Sequence, residues 1–332
     1  MVIMKSKMKN LWRMSIALIL VGLMGSSLVF AAPLRIGINQ LVEHPALDAA
    51  REGFIEALKE AGYDAGEEVI YDIQNAQGDF NNAISIAQKF KDDRVDMILA
   101  IATPVAQATA QVVQDIPIII TAVTDPVAAN LAQSWESSGN NITGVSDAAP
   151  TDSQVKLILR FLPEIKSVGT IYNAGEANSV VQVEEARRTC KEIGLDLIEV
   201  TVSNSSDVLM AAQSLAGRVG AIYVVTDNTV VSAIDSVIKL CNQEKIALFV
   251  ADPSTVEKGV LASYGIDYFN LGKKTGEVAL EVIKGAKPAD VPIQKITDPQ
   301  ELQLVVNLKA AELLGIEVSE EILQEADKII KD

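Results

Sequence analysis

Short apolar runs that end in small polar residues recur along this chain, and apolar residues at helical spacing follow each run. The clearest example is Ala221–Val225, which precedes Thr226-Asp227-Asn228 and then a helical pattern that reaches Ile238. A continuous apolar run is typical of a parallel strand whose sheet is covered by helices on both faces. Because open α/β sheets bind ligands at the carboxyl ends of their strands, the pattern predicts polar groups at a ligand-binding edge.

The same strand-and-turn unit occurs at four further places. The predicted strands and their polar ends are Met97–Ile101 before Ala102-Thr103-Pro104, Ile116–Ile120 before Thr124-Asp125-Pro126, Val168–Ile171 before Tyr172-Asn173, and Ala247–Val250 before Asp252-Pro253-Ser254. Small polar or acidic groups spread over five strand ends indicate a binding surface rather than one catalytic cluster. The prediction is that the chain holds a small polar molecule between two sheets.

The repeated unit predicts an α/β protein made of two doubly wound parallel-sheet lobes. The pattern restarts near Asp152, so that two repeats of about 110 residues follow one another. We expect residues 32–146 with 265–296 to form the first lobe, and residues 147–264 with 297–332 to form the second. The chain then crosses between the lobes three times, and three crossings make a hinge.

Several helices are predicted in the second half of the chain. They include a single helix over Asn228–Gln243 and a final helix over Ser319–Ile330. The strand Leu302–Val306 is expected between them as the last strand of the chain.

The N-terminus has the pattern of a secretory signal peptide. Four basic residues precede the uncharged run Met14–Phe30, which ends at the small residues Ala31-Ala32. Cleavage after Ala31 is expected, which makes residues 1–31 the signal peptide and the periplasm the destination. An uncleaved anchor is the alternative, because a run of about 17 residues is near the lower limit for crossing a bilayer.

The charge and the missing motifs exclude several classes of function. The chain carries 28 Lys and Arg against 44 Asp and Glu, a net charge of −16, which argues against a nucleic-acid partner. His44 is the only histidine, so we expect no metal site, and no cofactor is expected because phosphate- and dinucleotide-binding loops are absent. No catalytic residue is assigned, and the chain is not expected to be an enzyme. Acid-pair hydrolysis by Asp125, Asp227 and Asp252 is kept as an alternative.

Cys190 and Cys241 are the two cysteines of the chain, and each falls in a predicted helix of the second lobe. We interpret them as two separate buried apolar residues rather than as a disulfide. Spacing alone does not pair them.

The strand ends suit a zwitterionic ligand. Helix N-termini attract a carboxylate, and Thr103 and Ser179 begin predicted helices with a hydroxyl each. An ammonium group that leaves water needs an opposite charge, which Asp227, Asp125 or Asp252 can supply. A sugar is the less favoured alternative, because Trp135 is the only tryptophan after the signal segment. His44 is interpreted as a surface loop residue, although its loop follows a strand end.

Several segments together resemble a known family. They are Gln77–Asp79, Asp96–Gln107, Thr121–Ala128, Asn173–Ser179, Thr226–Asn228 and Val305–Ile330. The combination is similar to the ABC transporter substrate-binding family that includes the tryptophan-binding protein TrpX. The segments span most of the chain after the signal peptide, whereas no cysteine follows the apolar run to accept the lipid found in Gram-positive relatives.

The resemblance implies a type I periplasmic binding protein, monomeric, that closes on a small ligand. Its ligand is expected to be an amino acid, in particular an aromatic one, and its partners are an inner-membrane ABC permease and the ATPase of that permease. A sensor module that hands its liganded form to a membrane receptor is the alternative. The residues carried over to the cleft are Thr103, Pro104, Thr124, Asp125, Asn173, Glu176, Asn178, Ser179, Asp227, Asn228 and Asp252.

Overall fold

The computed structural model describes residues 32–296 and 298–331. The predicted signal peptide, residues 1–31, lies outside this part of the chain. Within the described residues, no helix is both long enough and apolar enough to cross a membrane.

The described residues contain thirteen strands in two sheets. The strands are β1 (Leu34–Gln40), β2 (Val69–Asn75), β3 (Met97–Ile101), β4 (Ile118–Thr121), β5 (Ile142–Ser146), β6 (Ser167–Asn173), β7 (Asp196–Val202), β8 (Ala221–Val224), β9 (Ala247–Val250), β10 (Ala262–Ile266), β11 (Gln294–Lys295), β12 (Leu302–Asn307) and β13 (Lys328–Ile330). The first sheet has the order β11-β5-β4-β3-β1-β2, and the second has the order β13-β12-β10-β9-β8-β6-β7. All pairs are parallel except β10 with β12.

Eleven α-helices connect these strands within the described residues. They are α1 (Pro45–Glu60), α2 (Phe80–Asp92), α3 (Thr103–Val112), α4 (Thr151–Phe161), α5 (Ala177–Ile193), α6 (Val208–Leu215), α7 (Asn228–Ser232), α8 (Ile234–Glu244), α9 (Tyr268–Ile283), α10 (Leu308–Leu314) and α11 (Glu320–Glu325). The two-lobed α/β architecture predicted from the sequence is confirmed. The chain passes between the sheets after β5, after β10 and after β11, and we propose these connections as the lobe boundaries.

In the first lobe, α1 packs along α9 at a very short distance. A Cβ atom on Gly272 would lie 2.0 Å from the carbonyl oxygen of Ala50, and one on Gly53 would lie 2.0 Å from that of Phe269. Only glycine therefore fits at either position. This contact brings α9, which follows the second sheet along the chain, into the core of the first lobe.

In the second lobe, successive residues of β8 enter opposite sides of the sheet, as the two-residue period of a strand requires. Ile222 and Val224 join a core with α6 and α8, whereas Tyr223 joins a core with α4 and α5. The cysteines follow the same division, because Cys241 lies in the first of these cores and Cys190 in the second. Both are free buried thiols, so the interpretation of two separate cysteines is confirmed.

Two predicted helices differ in the structure. The helix predicted over Asn228–Gln243 is broken at Ala233, where φ is −111° and ψ is 16°, after the β-branched residues of α7. The helix predicted over Ser319–Ile330 is wrong at its end. Helix α11 stops at Glu325, and Lys328–Ile330 pairs with β12 as an edge strand, because tertiary pairing overrides local periodicity there.

Candidate functional site

The carboxyl ends of strands from the two sheets face each other across a cleft. A small inner cavity of about 20 Å³ lies between them, next to a larger outer cavity of about 830 Å³. The inner cavity is lined from the first lobe by His44, Thr124, Asp147 and Tyr268, and from the second lobe by Asn178, Thr226, Asp227, Asn228 and Asp252. Thr124 Oγ1 and Thr226 Oγ1 are 3.5 Å apart across the cleft.

Asp147 follows β5 and projects into the inner cavity from the first lobe. It is 4% exposed, and each of its carboxylate oxygens accepts one hydrogen bond from a hydroxyl group. Thr124 Oγ1 donates to Oδ1 at 2.9 Å, and the Tyr268 hydroxyl donates to Oδ2 at 2.9 Å. Asp147 therefore retains lone pairs for a further donor, since an ionised carboxylate has about four acceptor positions.

Asp227 is the N-cap of α7 and is fully buried. Its Oδ1 accepts from the backbone N–H of Val230 at 2.8 Å. Its Oδ2 accepts from the backbone N–H of Asn173 at 2.6 Å and from Ser179 Oγ at 2.7 Å. Asp227 thus ties the ends of β6 and β8 to the start of α7 through three protein donors.

Glu176 holds the same region from the loop before α5. Its carboxylate accepts from the backbone N–H groups of Asn228 and Thr229 at 3.1 and 3.0 Å. It also accepts from Asn228 Nδ2 at 2.6 Å and from Thr229 Oγ1 at 2.8 Å. The first turn of α7 is therefore capped by a carboxylate from another segment, which suits the positive end of the helix.

The remaining predicted carboxylates have local partners. Asp252 accepts from the backbone N–H and the hydroxyl of Ser254, at 2.9 and 2.8 Å, and still lines the inner cavity. Asp125 accepts from the backbone N–H groups of Val127 and Ala128, at 3.0 and 2.9 Å. Asp125 lines neither the inner nor the outer cavity.

Burial governs the titration of these carboxyl groups. Burial away from water raises the pKa of Asp147 and that of Asp252. Burial, with the nearby Glu176 as the second cause, raises the pKa of Asp227 to about 7. Across the part of the chain that the structure describes, no lysine or arginine lines either cavity.

Four buried polar atoms around the cleft have no hydrogen-bond partner among the described residues. They are Nδ1 and Nε2 of His44, Oδ1 of Asn178, and Oγ1 of Thr103. Thr103 begins α3 and is 1% exposed, and the next residue, Pro104, lines the outer cavity. Buried polar atoms normally have partners, so their accumulation here marks a place where a ligand can supply the missing ones.

The structure brings most predicted site residues to the cleft and adds some that the sequence analysis missed. Thr124, Asn178, Asp227, Asn228 and Asp252 line the inner cavity, and Pro104, Asn173, Glu176 and Asn228 line the outer one. The interpretation of His44 as a surface loop residue is wrong, because both of its ring nitrogens are buried beside the inner cavity.

Asp147 and Tyr268 were not predicted. Asp147 directly follows β5, so the strand-end argument could have identified it. Tyr268 gives no such signal, because it follows a strand of the second sheet and reaches the cleft only through the packing of α9 on the first lobe.

Comparisons with known proteins identify the family and the fold of this chain. Residues 35–330 match the family model described as ABC transporter substrate binding protein. A tyrosine-binding protein from Clostridioides difficile is 43% identical over 281 residues, which are 84% of this chain and 81% of that protein. More distant solved structures, at 16% identity, share the fold, which is that of type I periplasmic binding proteins.

Two solved structures of similar proteins differ in whether a ligand is bound. A domain from Streptococcus pneumonia in complex with L-Trp is 35% identical and has a TM-score of 0.87, covering 90% of this chain and 100% of that chain. A ligand-free, open substrate binding protein with adhesive properties from Clostridium difficile is 40% identical but has a TM-score of 0.67, at the same coverage.

Proposed function

Because this chain belongs to the ABC transporter substrate binding protein family, we propose that it is the periplasmic solute receptor of an ABC importer. It captures an aromatic amino acid between its two lobes and delivers the ligand, unchanged, to an inner-membrane permease driven by a separate ATPase. The tyrosine-binding and tryptophan-bound relatives support this ligand class. The family consists of binding proteins rather than enzymes.

The observation that carries the proposal is a buried group of carboxylates with no lysine or arginine beside it among the described residues, while burial lowers the pKa of the neighbouring His44. Asp147, Asp227 and Asp252 surround the inner cavity, and no lysine or arginine of the described residues lines it. Charges removed from water are stabilised only when an opposite charge or sufficient hydrogen bonds accompany them. A ligand ammonium supplies that charge, and a cavity of about 20 Å³ holds one group of the size of water.

We assign the ammonium contact to Asp147 and keep Asp252 beside it. Asp227, the first candidate from the sequence, already accepts three hydrogen bonds that fix α7. Asp147 accepts only two, and both come from hydroxyl groups that can rotate. Asp147 therefore has more capacity for a new donor than Asp227 has.

The carboxylate of the ligand is assigned to the N-terminus of α3. This helix has ten residues, and its first-turn N–H groups form a positive end that binds anions. Thr103 Oγ1, buried and without a partner among the described residues, adds a hydroxyl donor there. An amino acid thus finds opposite partners for both of its charges.

Lobe closure is part of the proposal. The conformation is nearer to the L-Trp complex than to the open, ligand-free relative, although the open relative is the more similar in sequence. The Thr124–Thr226 contact across the cleft is consistent with a closed state. We propose that the three connections between the sheets form the hinge that opens it.

Thermal-shift and native mass spectrometry measurements test this function. A ligand that binds only the folded state at 100 times its Kd adds about 2.7 kcal/mol to stability. We expect L-tyrosine, L-tryptophan or L-phenylalanine to raise the melting temperature with one-to-one stoichiometry and without turnover. If no amino acid binds, or if the bound amino acid is chemically altered, the proposal is wrong.

A further inference from the structure

The outer cavity has two chemically different walls. The wall from the first lobe is largely apolar and includes Leu41, Val42, Phe80 and Pro104, together with Gln77 and Gly78. The wall from the second lobe is polar and includes the loop Ser203–Asp207 after β7. Asn228 lines both cavities, so the outer cavity lies directly beside the inner one.

The apolar wall is held in place by backbone and capping contacts. The Asp79 side chain accepts from the backbone N–H of Asn82 at 2.9 Å, which makes Phe80 the first residue of α2. The Phe80 side chain is consequently 38% exposed toward the cavity instead of being packed in the core. The backbone N–H of Gly78 donates to the Leu41 carbonyl at 2.7 Å, which fastens the loop before α2 to the end of β1.

The polar wall is ordered by its own hydrogen bonds. Asn204 Nδ2 donates to Asp207 Oδ2 at 2.7 Å, and the backbone N–H of Ser206 donates to Asn204 Oδ1 at 3.0 Å. These contacts keep amide and carboxylate oxygens at the edge of the cavity. Such oxygens can accept a hydrogen bond from a phenolic hydroxyl or an indole N–H.

The two cavities differ in size and so suit different parts of an amino-acid ligand. About 20 Å³ accommodates a single small polar group, whereas 830 Å³ lies in the range that holds drug-sized molecules. The outer cavity is thus larger than one aromatic side chain requires. The remaining space lies beyond the ring.

A third cavity, of about 370 Å³, shares Asp252 and Tyr268 with the inner cavity. Its lining is mostly apolar but also includes Glu257, Lys258 and Lys328, and Lys328 forms an ion pair with Glu257. A ring bound there would lie beside these charged groups. This cavity is therefore the alternative place for the ligand side chain.

We propose that the outer cavity is the side-chain subsite, and that it selects bulky amphipathic amino acids and accepts substituents beyond their ring. This inference rests on the proposed function. The ring lies against Leu41, Val42 and Phe80, its polar group meets the Ser203–Asp207 loop, and an extension enters the space toward solvent. Small amino acids leave the apolar wall uncovered and bind more weakly.

The test uses the full mature chain and two matched variants. Phe80→Ala removes a ring from the apolar wall, whereas Phe269→Ala removes a ring that is 39% exposed and lines the third cavity. Calorimetry measures the affinities of the native protein and both variants for L-tyrosine, L-tryptophan, L-alanine and O-benzyl-L-tyrosine.

We expect Phe80→Ala to weaken tyrosine and tryptophan binding by about threefold to tenfold, since an aromatic contact is lost. Phe269→Ala should leave these affinities within about twofold. In the native protein, O-benzyl-L-tyrosine should bind within about tenfold of tyrosine, and alanine should bind far more weakly than either.

Three results overturn the subsite while leaving the proposed function intact. The first is equal affinity of the two variants for tyrosine, the second is alanine binding as tightly as tyrosine, and the third is rejection of O-benzyl-L-tyrosine. Absence of binding by every amino acid overturns the proposed function as well.

Discussion

The Tyr268 hydroxyl donates a hydrogen bond of 2.9 Å to Oδ2 of Asp147, although 121 residues separate them. Tyr268 begins α9, the helix that returns from the second sheet to the first lobe, and Asp147 follows the last long strand before the chain leaves that lobe. The pair therefore lies where two connections between the lobes meet the inner cavity. A ligand that binds the Asp147 carboxylate therefore contacts a side chain that lies at one of these connections and is hydrogen-bonded to the other.

Asp147→Asn should abolish most of the affinity without unfolding the protein. Asparagine resembles the protonated acid that burial already favours at this position, so the melting temperature should change little. A hydrogen bond to a charged group contributes about 1.5–3 kcal/mol, so we expect binding to weaken roughly 10- to 100-fold. Calorimetry with L-tyrosine measures this effect. Asp152→Asn, at a half-buried residue in the first turn of α4 that lines neither cavity, is the control, and equal affinities of the two variants would refute the ammonium assignment.

Asp227→Ala should act mainly on stability. The substitution removes an N-cap and leaves the backbone N–H groups of Asn173 and Val230 without their acceptor. We expect the free energy of unfolding to fall by about 2–4 kcal/mol in urea titrations. The exposed N-cap variant Asp79→Ala should lose only about 1 kcal/mol. A stable Asp227→Ala protein that no longer binds ligand would reverse the roles given to Asp227 and Asp147.

Thr103→Val should separate binding from folding. Thr103 Oγ1 is buried without a partner among the described residues, so an apolar group of the same shape should leave stability unchanged or raise it. The affinity for an amino acid should nevertheless fall about threefold to tenfold, because one donor to the carboxylate is lost. In contrast, Thr121→Val removes the acceptor of the 2.9 Å hydrogen bond from Thr275 and should destabilise the fold. Unchanged affinity of Thr103→Val would exclude its role at the carboxylate.

Binding should strengthen as the pH rises toward 7. Burial raises the pKa of Asp147, Asp227 and Asp252, and that of Asp227 moves from 3.8 to about 7. These carboxyl groups thus hold more protons in the folded protein than in the unfolded chain between these values, so their contribution to the free energy of unfolding falls as pH increases through this window. The lowered pKa of His44 acts in the opposite direction below its ordinary value of 6.5.

A ligand ammonium favours the ionised carboxylates, so binding near pH 6 should release protons. Calorimetry in two buffers with different ionisation enthalpies measures this release directly. Proton uptake on binding, or an affinity that falls between pH 5 and 7, would contradict the assignment of an ammonium to this cavity.

Gly272→Ala should disrupt the contact between α1 and α9. The added Cβ would lie 2.0 Å from the carbonyl oxygen of Ala50, which is backbone and cannot rotate away. We expect a loss of about 3 kcal/mol or more in the free energy of unfolding. Gly62→Ala, where φ is +89° and no atom lies within 4 Å, should cost only about 1 kcal/mol. Similar losses for the two variants would show that the helices can separate at little cost.

The alternation of apolar runs and polar turns was sufficient to predict the two α/β lobes and most of the strands. It also directed attention to the strand ends, where Thr124, Asn178 and Asp252 lie beside one cavity. Local pattern failed where pairing with a distant strand decided the conformation, as in β13. It also failed at the boundary of α7 and α8, where Ala233 leaves helical geometry.

The sequence by itself determined the elements, their order and the kinds of polar group at each strand end, because these depend on neighbouring residues. Only the tertiary structure decided what each carboxylate does. Asp227 is used in capping and Asp125 in a turn, while Asp147 faces the inner cavity with Tyr268 from a distant helix. That distinction depends on which segments meet in space, and the local pattern around a single aspartate does not contain it.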